Sequence, residues 1–297
     1  MKITIQGYKS HENSTWYFLN LMQATDNHVG FLEKDPIRGN DTVRTFEEIL
    51  QIGVRHQVLL CCKVKVDFVL LGGDLFHDNK PSRKTMHSVM ELFRKYCLGN
   101  RPVEFQLLSD PAKNFVSKEA NWRNQNLNIS LPVLRIHGNH DDPTEESNLS
   151  AMDLLSSAGV VNYFGKVPEV DKIEIAPILL QKGNTRVALY GLGSIRDERL
   201  HRTFLSHQVK MLYPNNDEAG DWFNMLVFHQ NRSAHGPTNH IPESFLDENL
   251  HLVIWGHEHE CRIDPEFNSA KEFFVIQPGS SAITSLAEAE SKPKYYY

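Results

Sequence analysis

The stretch LPVLRIHGNHD (131–141) decides the fold, because an apolar run stops abruptly at a turn of glycine, asparagine, histidine and aspartate. The same arrangement recurs in VDFVLLGGD (66–74), FNMLVFHQNR (223–232) and LHLVIWGHEHE (250–260). Short apolar runs of this kind are typical of buried strands, and open α/β sheets bind ligands beyond the carboxyl ends of their strands. The pattern therefore predicts an α/β protein with a functional site built from strand-end loops.

Length and composition exclude several classes of protein. The 297 residues include 40% hydrophobic and 23% charged residues, which is typical of one large globular α/β domain. A formal net charge of -6 argues against nonspecific coating of nucleic acid. Four cysteines without a CxxC pair indicate a reducing intracellular compartment. No apolar run reaches the roughly 20 residues that span a bilayer, which argues against membrane insertion and export.

Helical patterns lie between the predicted strands. Residues 82–97 predict a helix whose apolar face is interpreted as a core face, with a dimer interface as the alternative. That face consists of Met86, Val89, Met90, Phe93 and Cys97. Two shorter helices are predicted at 41–50 and 149–157, the latter beginning near Ser147 or Asn148. Residues 98–130 are polar and weakly periodic, and they predict a long loop or insertion.

Each polar residue at a strand end has an ordinary explanation when it is taken alone. Asp26 could cap a helix, and His229 or His77 could be a packed histidine. Asp74 is more specific, because Gly72 and Gly73 let the backbone approach closely and one carboxylate at that point could bridge two cations. In GHEH (256–259), an extended backbone would place both histidines on one side.

Taken together, the strand ends predict a site for two metal ions. Its ligands would be Asp26, His28, Asp74, Asn139, His229, His257 and His259. This mixture is too rich in imidazole for a dedicated Mg²⁺ site and has no thiolate for a structural Zn²⁺ site, so Mn²⁺ is predicted. Paired ions of this kind activate a water for in-line attack on a phosphate ester. A metal-dependent phosphoesterase is the simplest interpretation.

The order of the motifs, DxH, GGD, GNHD, H and GHxH, is that of the calcineurin-like metallophosphoesterases. The text around them, including FLEKDPIRGNDT (31–42), GGDLFHDNKPSRKT (72–85), IHGNHDDPT (136–144) and WGHEHECRI (255–263), resembles the eukaryotic MRE-eleven family of double-strand-break repair nucleases. The resemblance implies an α-β-β-α sandwich of two packed mixed sheets flanked by helices. It also implies a nuclease domain over residues 21–290 and a C-terminal capping domain that this chain lacks.

The resemblance further implies roles for individual residues. One manganese ion would be held by Asp26, His28, Asp74 and His259. The second would be held by Asp74, Asn139, His229 and His257. His140 would be the acid or transition-state stabiliser near the leaving oxygen, with His77 as its partner.

Basic residues a few positions from the metal segments are candidates for DNA contact, although scattered basic residues are usually solvated surface. They are Lys34, Arg38, Lys80, Arg83 and Arg232.

The implied function is that of a manganese-dependent 3′ to 5′ exonuclease and endonuclease, acting on DNA ends and hairpins in the nucleus. The family works as a homodimer, here through 82–97 and 149–164, with a Rad-fifty type ATPase and with nibrin, which would meet residues 98–130. A phosphomonoesterase is one alternative, but Asp78-Asn79-Lys80 stands where those enzymes carry Asp-Arg-Gly. A catalytically weak module that binds a partner or dimerises is the other.

Three stretches depart from the family pattern. Residues 1–20 are divergent, and Asn20 and Gln23 interrupt the first apolar run, where a buried unpaired amide would cost roughly 1–3 kcal/mol. Residues 51–65 contain an insertion-like stretch, and 291–297 form a truncated tail. These departures leave every predicted ligand in place.

Overall fold

A computed structural model describes residues 1–6, 18–54, 57–59, 62–64, 66–143, 148–214, 222–234 and 236–291. Its helices are α1 (Asp41–Val54), α2 (Arg83–Cys97), α3 (Pro111–Asn114), α4 (Ala151–Ser157) and α5 (Asp197–Leu205). Its strands are β1 (Lys2–Gln6), β2 (Phe18–Ala24), β3 (Gln57–Leu59), β4 (Cys62–Val64), β5 (Phe68–Gly72), β6 (Gln106–Leu107), β7 (Val133–Ile136), β8 (Asn162–Tyr163), β9 (Ile173–Ile175), β10 (Ile178–Lys182), β11 (Thr185–Leu192), β12 (Val209–Met211), β13 (Phe223–His229), β14 (Leu252–Gly256), β15 (Arg262–Asn268) and β16 (Phe273–Gln277).

Two mixed sheets carry the fold. The first has the order β1-β2-β5-β7-β8, and the second has the order β15-β16-β14-β13-β11-β10-β6. Parallel pairing joins β2, β5, β7 and β8 in one sheet, and β11, β13, β14 and β16 in the other. The other strands of these two sheets, β1, β6, β10 and β15, pair antiparallel at the margins. β9 and β12 form a separate two-stranded parallel sheet. Because parallel strands point the same way, the carboxyl ends of the central strands lie at one edge of each sheet.

The sheets pack face to face around an apolar core. Leu70 and Leu134 from the first sheet share this buried cluster with Val227 and Ile254 from the second. On the outer face of the first sheet, α1, α2 and α4 cover Val69 and its neighbours. On the outer face of the second sheet, α5 joins a third buried cluster. Strands buried on both faces read as continuous apolar runs, as the sequence showed, and the predicted α-β-β-α sandwich is confirmed.

The predicted helix at 82–97 is confirmed as α2. Ser82 caps it, since its side chain accepts a hydrogen bond from the backbone N–H of Thr85 at 3.1 Å. Val89 and Phe93 are fully buried against α1 and the first sheet, while Met86 and Met90 lie partly buried at the margin of the same cluster. The face is therefore a core face at its centre.

Two other helix predictions needed correction. The helix predicted at 41–50 continues to Val54 as α1. The helix predicted to begin near Ser147 or Asn148 begins later, because Ser150 and Asp153 form a capping box that fixes its start at Ala151. Ser147 itself lies outside the described residues.

The segment predicted as a long loop or insertion, 98–130, is mostly irregular, but it also carries short elements that the prediction did not include. The segment contains β6, α3 and a 3₁₀ turn at Asn121–Arg123, and β6 pairs with β10 at the edge of the second sheet. Phe105, Leu107 and Phe115 insert into the core between the sheets. The sequence pattern missed this because isolated aromatic residues bury without helical or strand periodicity.

The first strand forms despite its two amides. Asn20 accepts a hydrogen bond from the hydroxyl of Thr4 at 2.8 Å, and its backbone N–H donates to Asp67 at 2.9 Å. Gln23 is fully buried, and neither side-chain amide atom has a hydrogen-bond partner within the described part of the chain. The predicted cost of an unpaired amide therefore applies to Gln23 and not to Asn20.

The remaining predictions on the divergent stretches fall partly outside the described residues. Within 51–65, the backbone of β3 pairs with β4 as a short hairpin, and positions 55, 56, 60, 61 and 65 lie outside the description. The same holds for 7–17 and 292–297. Cys97 and Cys261 are buried free thiols. In the residues that the structure describes, no helix has the length and apolarity to cross a membrane.

Candidate metal centre

The loops that follow the central strands converge at one place. β2 leads into Asp26 and His28, β5 into Asp74, and β7 into Asn139 and His140. In the second sheet, β13 ends on His229, and β14 leads into His257 and His259. The fold thus brings all seven predicted ligands together where the two sheets face each other.

The first group of potential ligands comprises Asp26, His28 and His259, whose ligand atoms lie within 4.8 Å of one another. The Nε2 atoms of His28 and His259 are 3.1 Å apart, and Asp26 Oδ1 lies 3.8 Å from His259 Nε2. Nitrogen and oxygen atoms at this spacing can be ligands of a single cation.

The second group comprises Asp74, His229 and His257, again within 4.8 Å. Asp74 Oδ2 lies 3.3 Å from His229 Nε2 and 3.9 Å from His28 Nε2, so this carboxylate faces both groups. Asn139 Oδ1 lies 3.2 Å from His229 Nε2 and 2.9 Å from His257 Nδ1. The geometry fits Asp74 as the bridge and Asn139 as a member of the second group.

Four of the seven residues have a left-handed backbone. The φ angles are 51° for Asp26, 44° for His28, 49° for Asp74 and 83° for His257. Such angles are uncommon for residues other than glycine, and they concentrate at functional sites. For His257 they correct the predicted extended GHEH segment, because His257 turns toward Asn139 and His229 while His259 turns toward His28.

Two glycines permit the close approach of the loops. A Cβ atom on Gly138 would lie 2.1 Å from Asp74 Oδ1, and one on Gly73 would lie 2.3 Å from His229 Nδ1. Real Cβ atoms do not tolerate such distances. Gly73 of GGD and Gly138 of GNHD are therefore required by the packing of the site.

Burial and mutual attraction set the charges of the site. Burial alone would lower the pKa of His229, but Asp74 and Asp26 raise it to about 9. Burial alone would raise the pKa of Asp74, but His229 and His28 outweigh it and hold that pKa well below its usual value. Burial lowers the pKa of His28 to about 3 and raises that of Asp26. In the metal-free protein, a protonated His229 stands beside an ionised Asp74.

The residues fit a pair of divalent cations. Asp26 Oδ1 is a buried atom without a hydrogen-bond partner in the described chain. A buried carboxylate needs compensating charge, and the two imidazole Nε2 atoms 3.1 Å apart, which can share a hydrogen bond in the metal-free chain, are close enough to bind one ion. The donor set of imidazole, carboxylate and amide suits a transition metal, as the sequence predicted.

His140 and His77 lie beside the first group. The backbone N–H of His140 donates to Asp74 Oδ1 at 2.8 Å, and its Nδ1 is hydrogen-bonded to the carbonyl oxygen of His77. The two rings stack with centroids 5.3 Å apart, and the His140 ring lies 4.9 Å from that of His28. Burial and the neighbouring His140 lower the pKa of His77. The two histidines are thus placed as predicted, next to the metal groups.

The candidate DNA contacts divide into two sets. Lys34, Arg38, Lys80 and Arg83 are exposed. Arg232 is not, because its guanidinium binds Glu243 and Glu266 and its side chain is only 12% exposed. The structure thus gives no support to the prediction that Arg232 contacts DNA.

Sequence reasoning missed the buried ion pair that joins two motifs. Arg135 and Asp141 are fully buried, with Nη2 and Oδ2 2.6 Å apart. The carboxylate of Asp141 also accepts from the backbone N–H groups of Leu75 at 2.8 Å and Phe76 at 3.1 Å. Asp141 thereby ties the GNHD turn to the GGD turn. Its position in the motif was a visible signal, but nothing in the spacing pointed to Arg135.

Comparisons with known proteins agree with this geometry. Residues 19–261 match the Calcineurin-like phosphoesterase family. The chain is 56% identical over 278 residues to "Double-strand break repair protein MRE11" of Rattus norvegicus and of Homo sapiens. It is 50% identical over 279 residues to "Double-strand break repair protein mus-23" of Neurospora crassa. Each match covers 93% of this chain but only 38%, 38% and 36% of the respective relative, so the chain spans little more than a third of their length.

Proposed function

The chain belongs to the calcineurin-like phosphoesterases, and on that premise we propose that it is a manganese-dependent DNA nuclease of double-strand-break repair. The observation that carries the proposal is the convergence of seven potential ligands into two groups that Asp74 faces on both sides. The identity to repair proteins of animals and a fungus supports DNA as the substrate. The reaction would be phosphodiester hydrolysis, both as a 3′ to 5′ exonuclease and as an endonuclease.

The chain's own residues would hold the two cations in fixed positions. Asp26, His28, Asp74 and His259 would hold one ion. Asp74, Asn139, His229 and His257 would hold the other. When bound, Mn²⁺ would supply Lewis acidity to the phosphate oxygens and lower the pKa of the attacking water. The rich supply of imidazole favours Mn²⁺ over Mg²⁺, and the absence of thiolate from the ligand set argues against a structural Zn²⁺ site.

His140 is proposed to act as the acid. Its Nδ1–H donates to the carbonyl of His77, which leaves Nε2 as the atom that carries a transferable proton. The backbone N–H of His140 is anchored on Asp74, so the ring keeps a fixed position relative to the bridge. A proton on Nε2 could then be delivered to the leaving oxygen of the phosphodiester. The carbonyl oxygen and the stacked ring of His77 would hold the His140 ring in this orientation.

A cavity of about 400 Å³ next to the Asp26 loop offers a path for the DNA strand. Ser281 lines the cavity and contacts the Asp26 loop, since its backbone N–H donates to the carbonyl oxygen of Asp26 at 3.1 Å. Arg38 and Arg44 line the cavity, together with Phe31. We propose that phosphates flanking the scissile bond lie here, with Lys34, Lys80 and Arg83 as outer contacts. Arg232, which is paired with acidic residues, is not included.

The proposed partners follow from the same family. A homodimer would form through 82–97 and 149–164, where Leu149 and Leu154 are 55% and 61% exposed. Residues 98–130 would meet nibrin, and Leu108 and Val116 are exposed there. A Rad-fifty type ATPase would complete the assembly in the nucleus.

A comparison of substrates tests the proposal. The purified chain should hydrolyse bis-p-nitrophenyl phosphate and shorten DNA in the presence of Mn²⁺, and it should act far more slowly on the monoester p-nitrophenyl phosphate. Asp74→Asn should abolish both activities, while the exposed neighbour Asp78→Asn serves as the matched control. A strong preference for the monoester would overturn the choice of substrate. Two bound equivalents of Mn²⁺ without turnover would favour the partner-binding module instead.

A further inference from the structure

One metal-facing histidine is held by a chain of side-chain hydrogen bonds. His259 Nδ1 lies 2.8 Å from Thr284 Oγ1, and the same oxygen lies 3.1 Å from Glu290 Oε2. Glu290 belongs to a 3₁₀ turn at Glu288–Glu290, well away from β14 in sequence. The chain of contacts therefore links the first ligand group to a segment that none of the metal motifs contains.

Glu290 is a buried carboxylate that accepts an unusual number of hydrogen bonds from the protein. It is 5% exposed, and it accepts hydrogen bonds from the hydroxyls of Ser280, Thr284 and Ser285. The backbone N–H groups of Thr284 and Ser285 also donate to it, at 2.8 and 3.3 Å. The Oε2 atom that faces Thr284 accepts from these two backbone N–H groups, so it is an acceptor and has no proton to donate. The other oxygen, Oε1, lies 3.8 Å from His259 Nδ1.

The direction of each hydrogen bond then follows. Thr284 has one hydroxyl proton, and it must point to Glu290, which has none to give. Thr284 Oγ1 is left to accept from His259, so Nδ1 of that imidazole carries a proton. Nε2 is then the nitrogen of His259 that can offer a lone pair to a cation, and it faces His28 Nε2 at 3.1 Å and Asp26 Oδ1 at 3.8 Å.

Two of the other ligand histidines, His229 and His28, do not depend on side chains in this way. His229 Nδ1 lies 2.9 Å from the carbonyl oxygen of Gly72, so the backbone fixes its tautomer. His28 Nδ1 is buried without a hydrogen-bond partner in the described chain. His259 is also more accessible than these two, with a side chain that is 33% exposed against 2% or less. The orientation of a partly exposed ring depends more on hydrogen bonds than the orientation of a fully buried ring does.

We propose that Glu290 and Thr284 are positioning residues, which fix the orientation and the Nδ1–H tautomer of His259 so that its Nε2 can bind a cation. Hydrogen-bond partners of this kind typically change metal affinity by about 10- to 100-fold. The inference rests on the metal centre of the proposed function, but it does not depend on DNA being the substrate.

The competing explanation is that Glu290 only closes the turn at 280–291. Its contacts with backbone N–H groups of Thr284 and Ser285 would serve that purpose whatever His259 does. The two explanations separate at the Thr284 hydroxyl, because Thr284→Val keeps the backbone contacts and the side-chain shape but removes the link to His259. Thr284→Ser keeps the hydroxyl. Glu288→Gln is the matched control, since Glu288 is exposed in the same 3₁₀ turn.

The test is a calorimetric titration of the full chain with Mn²⁺. We expect Thr284→Val to lower the affinity for one of the two Mn²⁺ ions by about 10- to 100-fold and to leave the affinity for the other unchanged. Thr284→Ser and Glu288→Gln should bind both ions as the unaltered chain does. Glu290→Gln should resemble Thr284→Val. Because Glu290→Gln could also disturb the turn at 280–291, the comparison of Thr284→Val with Thr284→Ser decides between the two explanations.

A second readout reports the tautomer directly. In ¹⁵N spectra of the metal-free chain, His259 should show the Nδ1–H form, and Thr284→Val should convert it to a mixture of both tautomers. The inference would be overturned if the Thr284→Val and Thr284→Ser variants bound Mn²⁺ with equal affinities, or if His259 had the Nε2–H form in the unaltered chain. Either result would leave the proposed metal centre standing. An unaltered chain that binds no Mn²⁺ would refute the metal centre and this inference together.

Discussion

Cation binding near neutral pH should release a proton from His229. This side chain is fully buried, 3.3 Å from Asp74 and 3.9 Å from Asp26, and the two carboxylates raise its pKa from 6.5 to about 9. At about pH 7.5 the metal-free protein therefore holds a proton on His229, roughly 1.5 pH units below the pKa. Removing it costs about 2 kcal/mol, so the apparent Mn²⁺ affinity should fall about tenfold for each pH unit below 9.

Calorimetry in two buffers with different ionisation enthalpies counts the released protons. His229→Gln should release about one proton fewer than the unaltered chain at about pH 7.5, and the difference should vanish above about pH 10. Burial raises the pKa of Asp26 and the neighbouring His229 lowers it, so proton release is also counted in Asp26→Asn, where only His229 of this pair can lose a proton. His28, with a pKa of about 3, has no proton to release. The exposed His87→Gln on α2 is the control and should match the unaltered chain.

The sign of the effect makes the experiment decisive. A histidine with a raised pKa binds its proton more tightly in the folded, metal-free state, so rising pH favours the metal. Equal proton counts for the unaltered chain and His229→Gln at about pH 7.5 would show that His229 is neutral there. That result would refute the argument that Asp74 and Asp26 together keep His229 protonated when no metal is bound.

Three further changes test other parts of the centre. His140→Ala should bind both cations but lose about 10²- to 10⁴-fold in turnover of bis-p-nitrophenyl phosphate; loss of bound metal would make it a ligand. Gly138→Ala should weaken Mn²⁺ binding by about tenfold or more in a titration, because its Cβ would lie 2.1 Å from Asp74 Oδ1, and an unchanged affinity would contradict the close packing. Asp141→Asn should cost about 3–5 kcal/mol in urea unfolding, because it strands the buried Arg135, whereas Glu91→Gln in an exposed ion pair should cost below about 1 kcal/mol.

The candidate site could be predicted from the sequence because strand ends are easy to recognise. Each ligand follows or ends an apolar run, and the carboxyl ends of parallel strands share one edge of a sheet. β13, for example, ends on His229, and β14 leads directly into His257. Residue type then supplies the chemistry, since imidazole and carboxylate together favour a divalent cation. Neither step requires knowledge of how the loops are folded.

The fold was harder to predict where its contacts are distant in sequence. The segment at 98–130 has no periodicity of its own, and only its pairing with β10 makes β6 a strand. Arg135 stands in an apolar run, where a charge argues against burial, yet Asp141 from the next turn neutralises it. Gln23 is also a buried polar side chain in an apolar run, and its amide has no hydrogen-bond partner in the described chain. Such exceptions depend on neighbours that local patterns do not identify.

The loops of the metal centre stabilise each other's unfavourable backbones. Left-handed φ angles at Asp26, His28 and Asp74 cost on the order of 1–3 kcal/mol each, and hydrogen bonds between segments offset that cost. The backbone N–H of Asp26 donates to the carbonyl of Gly73 at 3.1 Å, and that of His28 donates to Asp74 at 3.0 Å. The strained turns therefore persist only as a pair. A change in the Asp26–His28 loop should therefore also displace Asp74, the carboxylate that faces both metal groups.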